Sequence, residues 1–113
     1  EISPYAKTNV VQLKNNKITQ IVIDPEELNI KPNSFNDLLG KDSEYNSQKI
    51  IEIFKGKDND FSKAVCLNSA AGLIVSGKFS NIKDAYDKAR EHILSGKTFE
   101  HLKGIQSAWQ YSK

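Results

Sequence analysis

The chain reads as an α+β fold: a β-hairpin, then short helices, then four longer ones. Three features carry that reading. Val11 and Leu13 alternate with Gln12, and Ile21, Val22 and Ile23 form a β-branched run, so the N-terminal stretch favours strands. Further along, a capping residue is followed three positions later by a carboxylate at Asp24/Glu27, Ser34/Asp37 and Asn81/Asp84, the spacing of a capping box. From Phe61 to Gly77 the side chains are apolar or small on nearly every side of a helix, the mark of a helix buried among other elements.

Residues Glu1 to Thr8 read as loop, because Ser3, Pro4 and Lys7 break any pattern. Asn9 to Leu13 and Ile18 to Ile23 are the two strands, and Asn15-Asn16 suits a tight turn because asparagine tolerates positive φ. A lone hairpin is marginal in water, so it is expected to lie on a helix or to join a larger sheet. At Asp24-Pro25-Glu26-Glu27 a helix start is expected: Asp24 caps, Pro25 takes the first helical position and Glu27 completes the box. Pro32 limits that helix to a turn or so. Ser34 to Asp37 begins another short helix.

Asp42 caps a longer helix through Lys55, closed by Gly56, with Tyr45, Ile50, Ile53 and Phe54 at helical spacing. In the core helix Asp60 is the expected N-cap, Gly77 the C′ residue, and Ala70, Ala71 and Gly72 leave room for another backbone. Asn81 to Gly96 follows, with Ile82, Ala85, Tyr86, Ala89 and Ile93 on one stripe. Thr98 starts the last helix, with Phe99, Leu102, Ile105 and Trp109 inward. Gly104 weakens it, and the tail Gln110 to Lys113 is expected to fray.

A chain of 113 residues suits one domain or a piece of a larger one. Its net charge of +2, with lysines scattered rather than clustered, gives no basis for a nucleic-acid or membrane partner. Cys66 has no second cysteine to pair with, and its place on the core helix suits a buried thiol in a reducing cytoplasm, not a nucleophile. No signal peptide or transmembrane run is read; Asn68, Ser69 and Gly72 interrupt the core helix, which is too short to span a bilayer. A start at Glu1, not Met, fits a cleaved, trimmed or excised fragment.

Few residues suggest chemistry by themselves. His92 and His101 fall on different helices without a Cys or carboxylate at metal-ligand spacing, so both read as surface or boundary residues. Asp24, Glu26 and Glu27 read as helix-start charges favoured by the dipole. Asp42 reads as a cap. Asn46 and Asn68 read as buried amides bonded to neighbouring loops. The six glycines are scattered, so no phosphate-cradling loop is present.

The blocks AVCLNSAAGLIVSGK and NIKDAYDKAREHILSGKTFEHL resemble the C-terminal end of anthranilate phosphoribosyltransferase. The resemblance is carried by Leu67, Asn68, Ser69, Ala70, Ala71 and Gly77, then by Ser95, Gly96, Lys97 and Leu102. Upstream, Leu38, Gly40, Asp42 and Asn46 match the family's Leu-x-Gly-Gly-Asp-x-x-x-Asn, with Lys41 in place of its second Gly. Almost the whole chain is covered, with the blocks in order.

The resemblance implies that residues 1–113 are the C-terminal portion of an α/β domain of the nucleoside phosphorylase/phosphoribosyltransferase type, with the hairpin at the edge of a larger sheet. It implies a Mg²⁺-dependent transfer of phosphoribosyl from phosphoribosyl pyrophosphate to anthranilate, in tryptophan biosynthesis, by a cytoplasmic enzyme that is a homodimer when intact. Glu1-Ile2-Ser3 matches the second half of the family's Asp-Glu-Ile/Val-Ser Mg²⁺ motif, so Glu1 is the implied metal ligand. The phosphate loop and the substrate-holding residues lie upstream of this sequence, so no catalytic or substrate-binding residue is assigned here and the chain alone is expected to be inactive. A non-catalytic scaffold of the same fold and part of a pyrimidine nucleoside phosphorylase are the competing readings.

Overall fold

The computed structural model describes residues 1–111, leaving aside the side chains of Asp37 and Tyr111. Its order is β1 (Thr8–Lys14), β2 (Lys17–Ile23), a short 3-10 turn (Phe35–Leu38), α1 (Ser43–Phe54), α2 (Asp60–Val75), α3 (Ile82–Leu94) and α4 (Lys97–Tyr111). The α+β expectation holds. The two strands pair antiparallel, from Thr8 opposite Ile23 to Lys14 opposite Lys17. Asn15 and Asn16 close the hairpin with φ of 52° and 59°, both left-handed as a type I′ turn requires.

One face of the hairpin carries Val10 and Ile23, which join the core at its base. The other carries Val11, Leu13, Ile18 and Val22, all more than half exposed. Of the two expected supports, a helix or a larger sheet, the described residues supply neither: no helix lines the hairpin and no third strand pairs with it.

The core is α2 against α3, with Cys66, Leu67 and Ala70 meeting Ala85, Tyr86, Ala89 and Ile93. Ile53 of α1 closes it, as do Leu28 and Ile30 from the loop after β2. Each fully buried aliphatic side chain contributes about 1.5–3 kcal/mol. Burial of α2 is one-sided, contrary to expectation: Val65, Ser69, Gly72 and Val75 are exposed. A Cβ added at Gly72 would meet no atom within 4 Å, so no backbone approaches it here.

Three local expectations are corrected. Residues 24–30 form a single closed turn, not a helix. The Ile30 N–H donates to Pro25 O at 2.9 Å, the Asn29 N–H to Glu26 O at 3.0 Å, and Asn29 takes φ of 59°. That is a Schellman closure on one turn; the nucleus is costly, and the chain reaches Pro32 before propagation can offset it. The cap of α2 is Asn59, not Asp60: Asn59 Oδ1 accepts from the Ser62 N–H, and Ser62 Oγ accepts from the Asn59 N–H, each at 2.9 Å. On α4, Phe99 and Leu102 are half-buried, but Ile105 and Trp109 are exposed, because the helix outruns the core it packs on.

Other expectations hold. Asp42 caps α1 through the Tyr45 N–H at 2.8 Å, and Asn81 caps α3 through the N–H groups of Lys83 and Asp84. Gly56, Gly77 and Gly96 follow their helices with positive φ. Ser34 caps the 3-10 turn through the Asn36 N–H; the Asp37 half of that box lies outside the described residues. Helix α4 continues through Gln110 to Tyr111, and the rest of the tail also lies outside them.

Candidate functional site

The N-terminal segment runs along α2 in the opposite direction and is fastened at two points. At one, Asn68 Oδ1 accepts from the Ile2 N–H at 2.8 Å while Asn68 Nδ2 donates to Ile2 O at 2.9 Å. The same Nδ2 donates to Ala64 O at 3.0 Å, which sets the amide's orientation on its own helix. At the other, two turns nearer the helix start, Tyr5 Oη donates to Asp60 Oδ2 at 2.9 Å. The geometry matches. Ile2 to Tyr5 reaches about 10 Å when extended, and Asn68 to Asp60 spans about 12 Å of helix.

Asp60 is 2% exposed and gathers three parts of the chain. Its Oδ2 also accepts from the Asn33 N–H at 2.6 Å and the Ser34 N–H at 3.3 Å. Lys63 Nζ, one turn on, donates to Oδ1 at 2.7 Å and to Lys31 O at 2.8 Å. Burial pushes the Asp60 carboxyl upward, but the Lys63 ammonium, the backbone donors and the Tyr5 hydroxyl outweigh it and hold the group below the ordinary carboxylate value. The single Tyr5 hydroxyl proton is shared between Asp60 Oδ2 and Ser34 O, and the Tyr5 ring meets Phe35 edge-on, with ring centres 5.7 Å apart. Sequence reasoning missed this junction. Tyr5 and Asn33 lie 55 and 27 positions from Asp60, and no local pattern links them.

Asn46 does for the loop before α1 what Asn68 does for Ile2. Its Oδ1 accepts from the Lys41 N–H at 3.0 Å, and its Nδ2 donates to Lys41 O at 3.1 Å. A Cβ on Gly40 would sit 3.0 Å from that oxygen, which accounts for a glycine there. Both asparagines bond neighbouring loops, as expected, and both are half-buried where full burial was expected.

Glu1, the implied metal ligand, is exposed at the head of the segment that Asn68 holds. Ser3 is engaged, its Oγ accepting from the Tyr5 N–H at 3.1 Å. Among the described residues no three His, Cys, Asp or Glu side chains gather as a metal site. Mg²⁺ takes one or two carboxylates along with waters and phosphate oxygens, so Glu1 fits as one oxygen ligand and cannot make a site alone.

The remaining candidates take structural places. His92 and His101 are exposed on α3 and α4. Asp24 pairs with Lys7 at 2.9 Å and accepts from the Glu26 N–H; the lysine's hydrogen bond, then the backbone one, hold its carboxyl below the usual value. Cys66 is buried, and desolvation pushes its thiol to about 11, the opposite of the cationic, partly open setting that favours a thiolate nucleophile. No helix among the described residues is long and apolar enough to cross a membrane.

The model of the glycosyl transferase family's a/b domain matches residues 1–99, so the hairpin, the N-terminal strap and the helices that hold it all fall within that match, and the chain belongs to the family. Curated relatives sharpen the comparison. The chain is similar to the anthranilate phosphoribosyltransferase of Pelagibacter ubique, 64% identical over 107 residues, which is 95% of this chain and 32% of that protein. It is similar to proteins of the same name from Dictyoglomus turgidum, 34% identical over 107 residues (94% of this chain, 32% of that protein), and Streptococcus mutans, 31% identical over 108 residues (96% and 32%). The chain thus spans about a third of the length of the relatives it matches.

Proposed function

We propose that residues 1–113 are the C-terminal portion of an anthranilate phosphoribosyltransferase domain, a part that supports the active site without completing it. The observation that carries this is the 64% identity along 95% of the chain with a relative of that name three times as long. The exposed apolar face of Val11, Leu13, Ile18 and Val22 supports it, because a contiguous patch of that kind is ordinarily covered by further protein. So does the α2 stripe of Val65, Ser69, Gly72 and Val75.

In this reading the complete enzyme moves a phosphoribosyl group from phosphoribosyl pyrophosphate to the amine of anthranilate, a step of tryptophan biosynthesis, in a reducing cytoplasm and as a homodimer. Bound Mg²⁺ would neutralise charge on the departing pyrophosphate. Glu1 supplies one of its oxygen ligands, and the others come from outside this chain and from substrate. What residues 1–113 add is a rigid base: α2 fixes the strap that ends in Glu1, and the α2–α3 core holds α2.

The test has two arms, both following the loss of anthranilate fluorescence with phosphoribosyl pyrophosphate and Mg²⁺. The 113-residue chain by itself is expected to show no turnover. A chimera in which it replaces the matching third of the Pelagibacter ubique relative is expected to be active. Turnover by the chain alone, or a folded but inert chimera, would overturn the reading.

A further inference from the structure

We propose that Asn68 is a positioning residue for the Glu1–Ser3 segment: it pairs with both the N–H and the C=O of Ile2 and so sets where the Glu1 carboxylate is presented. The inference rests on the reading of Glu1 as a Mg²⁺ ligand given above and extends it to a residue 66 positions beyond Ile2.

Four observations carry it. First, the contact is two-sided, at 2.8 and 2.9 Å, so translation of the strap along α2 and rotation of the peptide are both opposed. Second, the amide is itself fixed by its third bond to Ala64 O, so its rotamer is held by its own helix. Third, α2 is the most deeply buried helix, with Cys66, Leu67 and Ala70 at 1%, 0% and 0% exposure, so Asn68 stands on a rigid support. Fourth, the Asp60–Tyr5 bond fixes the other end of the strap, leaving Glu1 one residue beyond a doubly anchored segment. These bonds also satisfy the amide on its own helix; what they add for a metal site is a fixed position for a carboxylate that must meet the ion with small positional error.

The experiment compares Glu1→Gln, Asn68→Ala and Asn68→Asp in the chimera described above and in the 113-residue chain. In the chain, hydrogen exchange at the Ile2 amide is read: Asn68→Ala is expected to remove its protection while the amides of α3 keep theirs. In the chimera, the Mg²⁺ concentration for half-maximal rate is read alongside the rate at saturating Mg²⁺. Asn68→Ala is expected to raise the Mg²⁺ requirement by about tenfold, the scale seen when a residue orienting a metal ligand is lost, with a much smaller change in the saturated rate. Asn68→Asp keeps the acceptor for the Ile2 N–H but sets an oxygen 2.9 and 3.0 Å from Ile2 O and Ala64 O, which both accepted from Nδ2, so it is expected to raise the requirement at least as far as Asn68→Ala. Protected α3 amides in both variants guard against a folding failure. A raised requirement in Glu1→Gln with none in either Asn68 variant would overturn the positioning role and leave the Glu1 reading standing. No change in Glu1→Gln would remove both. Unaltered exchange at Ile2 in Asn68→Ala would overturn the clamp itself.

Discussion

Replacing Asp60 by alanine removes the acceptor that joins the N-terminal strap, the loop at Asn33 and the start of α2. The carboxylate takes hydrogen bonds from two backbone N–H groups, a tyrosine hydroxyl and an ammonium. Breaking a buried ion pair by removing one partner costs about 3–5 kcal/mol. Here the lower end applies. Lys63 keeps 20% of its side chain exposed and retains its bond to Lys31 O, so its charge is not stranded. Asn33 and Ser34 are exposed residues whose N–H groups can turn to water. A loss of about 3 kcal/mol follows, and at roughly 4 °C per kcal/mol for a chain of this size the midpoint falls by about 12 °C.

Urea unfolding followed by far-UV circular dichroism reads this directly, with the slope checking that the transition stays two-state. The pH dependence gives an independent check. Because the folded carboxyl lies below its ordinary value, its contribution is complete above the unfolded value of about 3.9 and is lost as pH falls through the lower folded value. The stability gap between wild type and Asp60→Asn should therefore be constant near neutral pH and close below about pH 4. A loss under about 1 kcal/mol, the size of an exposed ion pair, or a gap unaffected by acid, would refute the account of Asp60 as a junction.

Two more outcomes follow from packing and backbone geometry. Leu67 is fully buried at the α2–α3 contact, so Leu67→Ala should cost about 2–5 kcal/mol in the same urea titration. The two glycines Gly56 and Gly104 should respond with opposite signs. At Gly56 the φ is +98° and a Cβ would lie 2.7 Å from Leu94 O, so Gly56→Ala should destabilise by about 2 kcal/mol or more. At Gly104, inside α4, a Cβ meets nothing within 4 Å, so Gly104→Ala should stabilise by about 0.5–1 kcal/mol, measured as a rise in urea midpoint.

Local rules in the sequence were enough for much of this protein. The Asn15-Asn16 turn, the caps at Asp42 and Asn81, the glycines that end α1, α2 and α3, and the apolar stripe of α3 all depend on neighbours within four residues. Periodicity and capping chemistry read at that range. The roles of Asn46 and Asn68 as loop-holding amides were also legible, because a polar side chain on a helix packed against other elements must find a partner.

Only the tertiary structure decided which partner that was. Nothing in the sequence links Asn68 to Ile2, or Asp60 to Tyr5 and Asn33, because these contacts form only once α2 and the strap lie side by side. The same cause explains the misplaced cap. Asp60 is a good capping residue by type, but its carboxylate is engaged by a distant loop, so the cap falls to Asn59. It also explains the bare faces of the hairpin and of α2: composition shows that those residues are apolar or small, and only the packed chain shows that nothing among the described residues covers them.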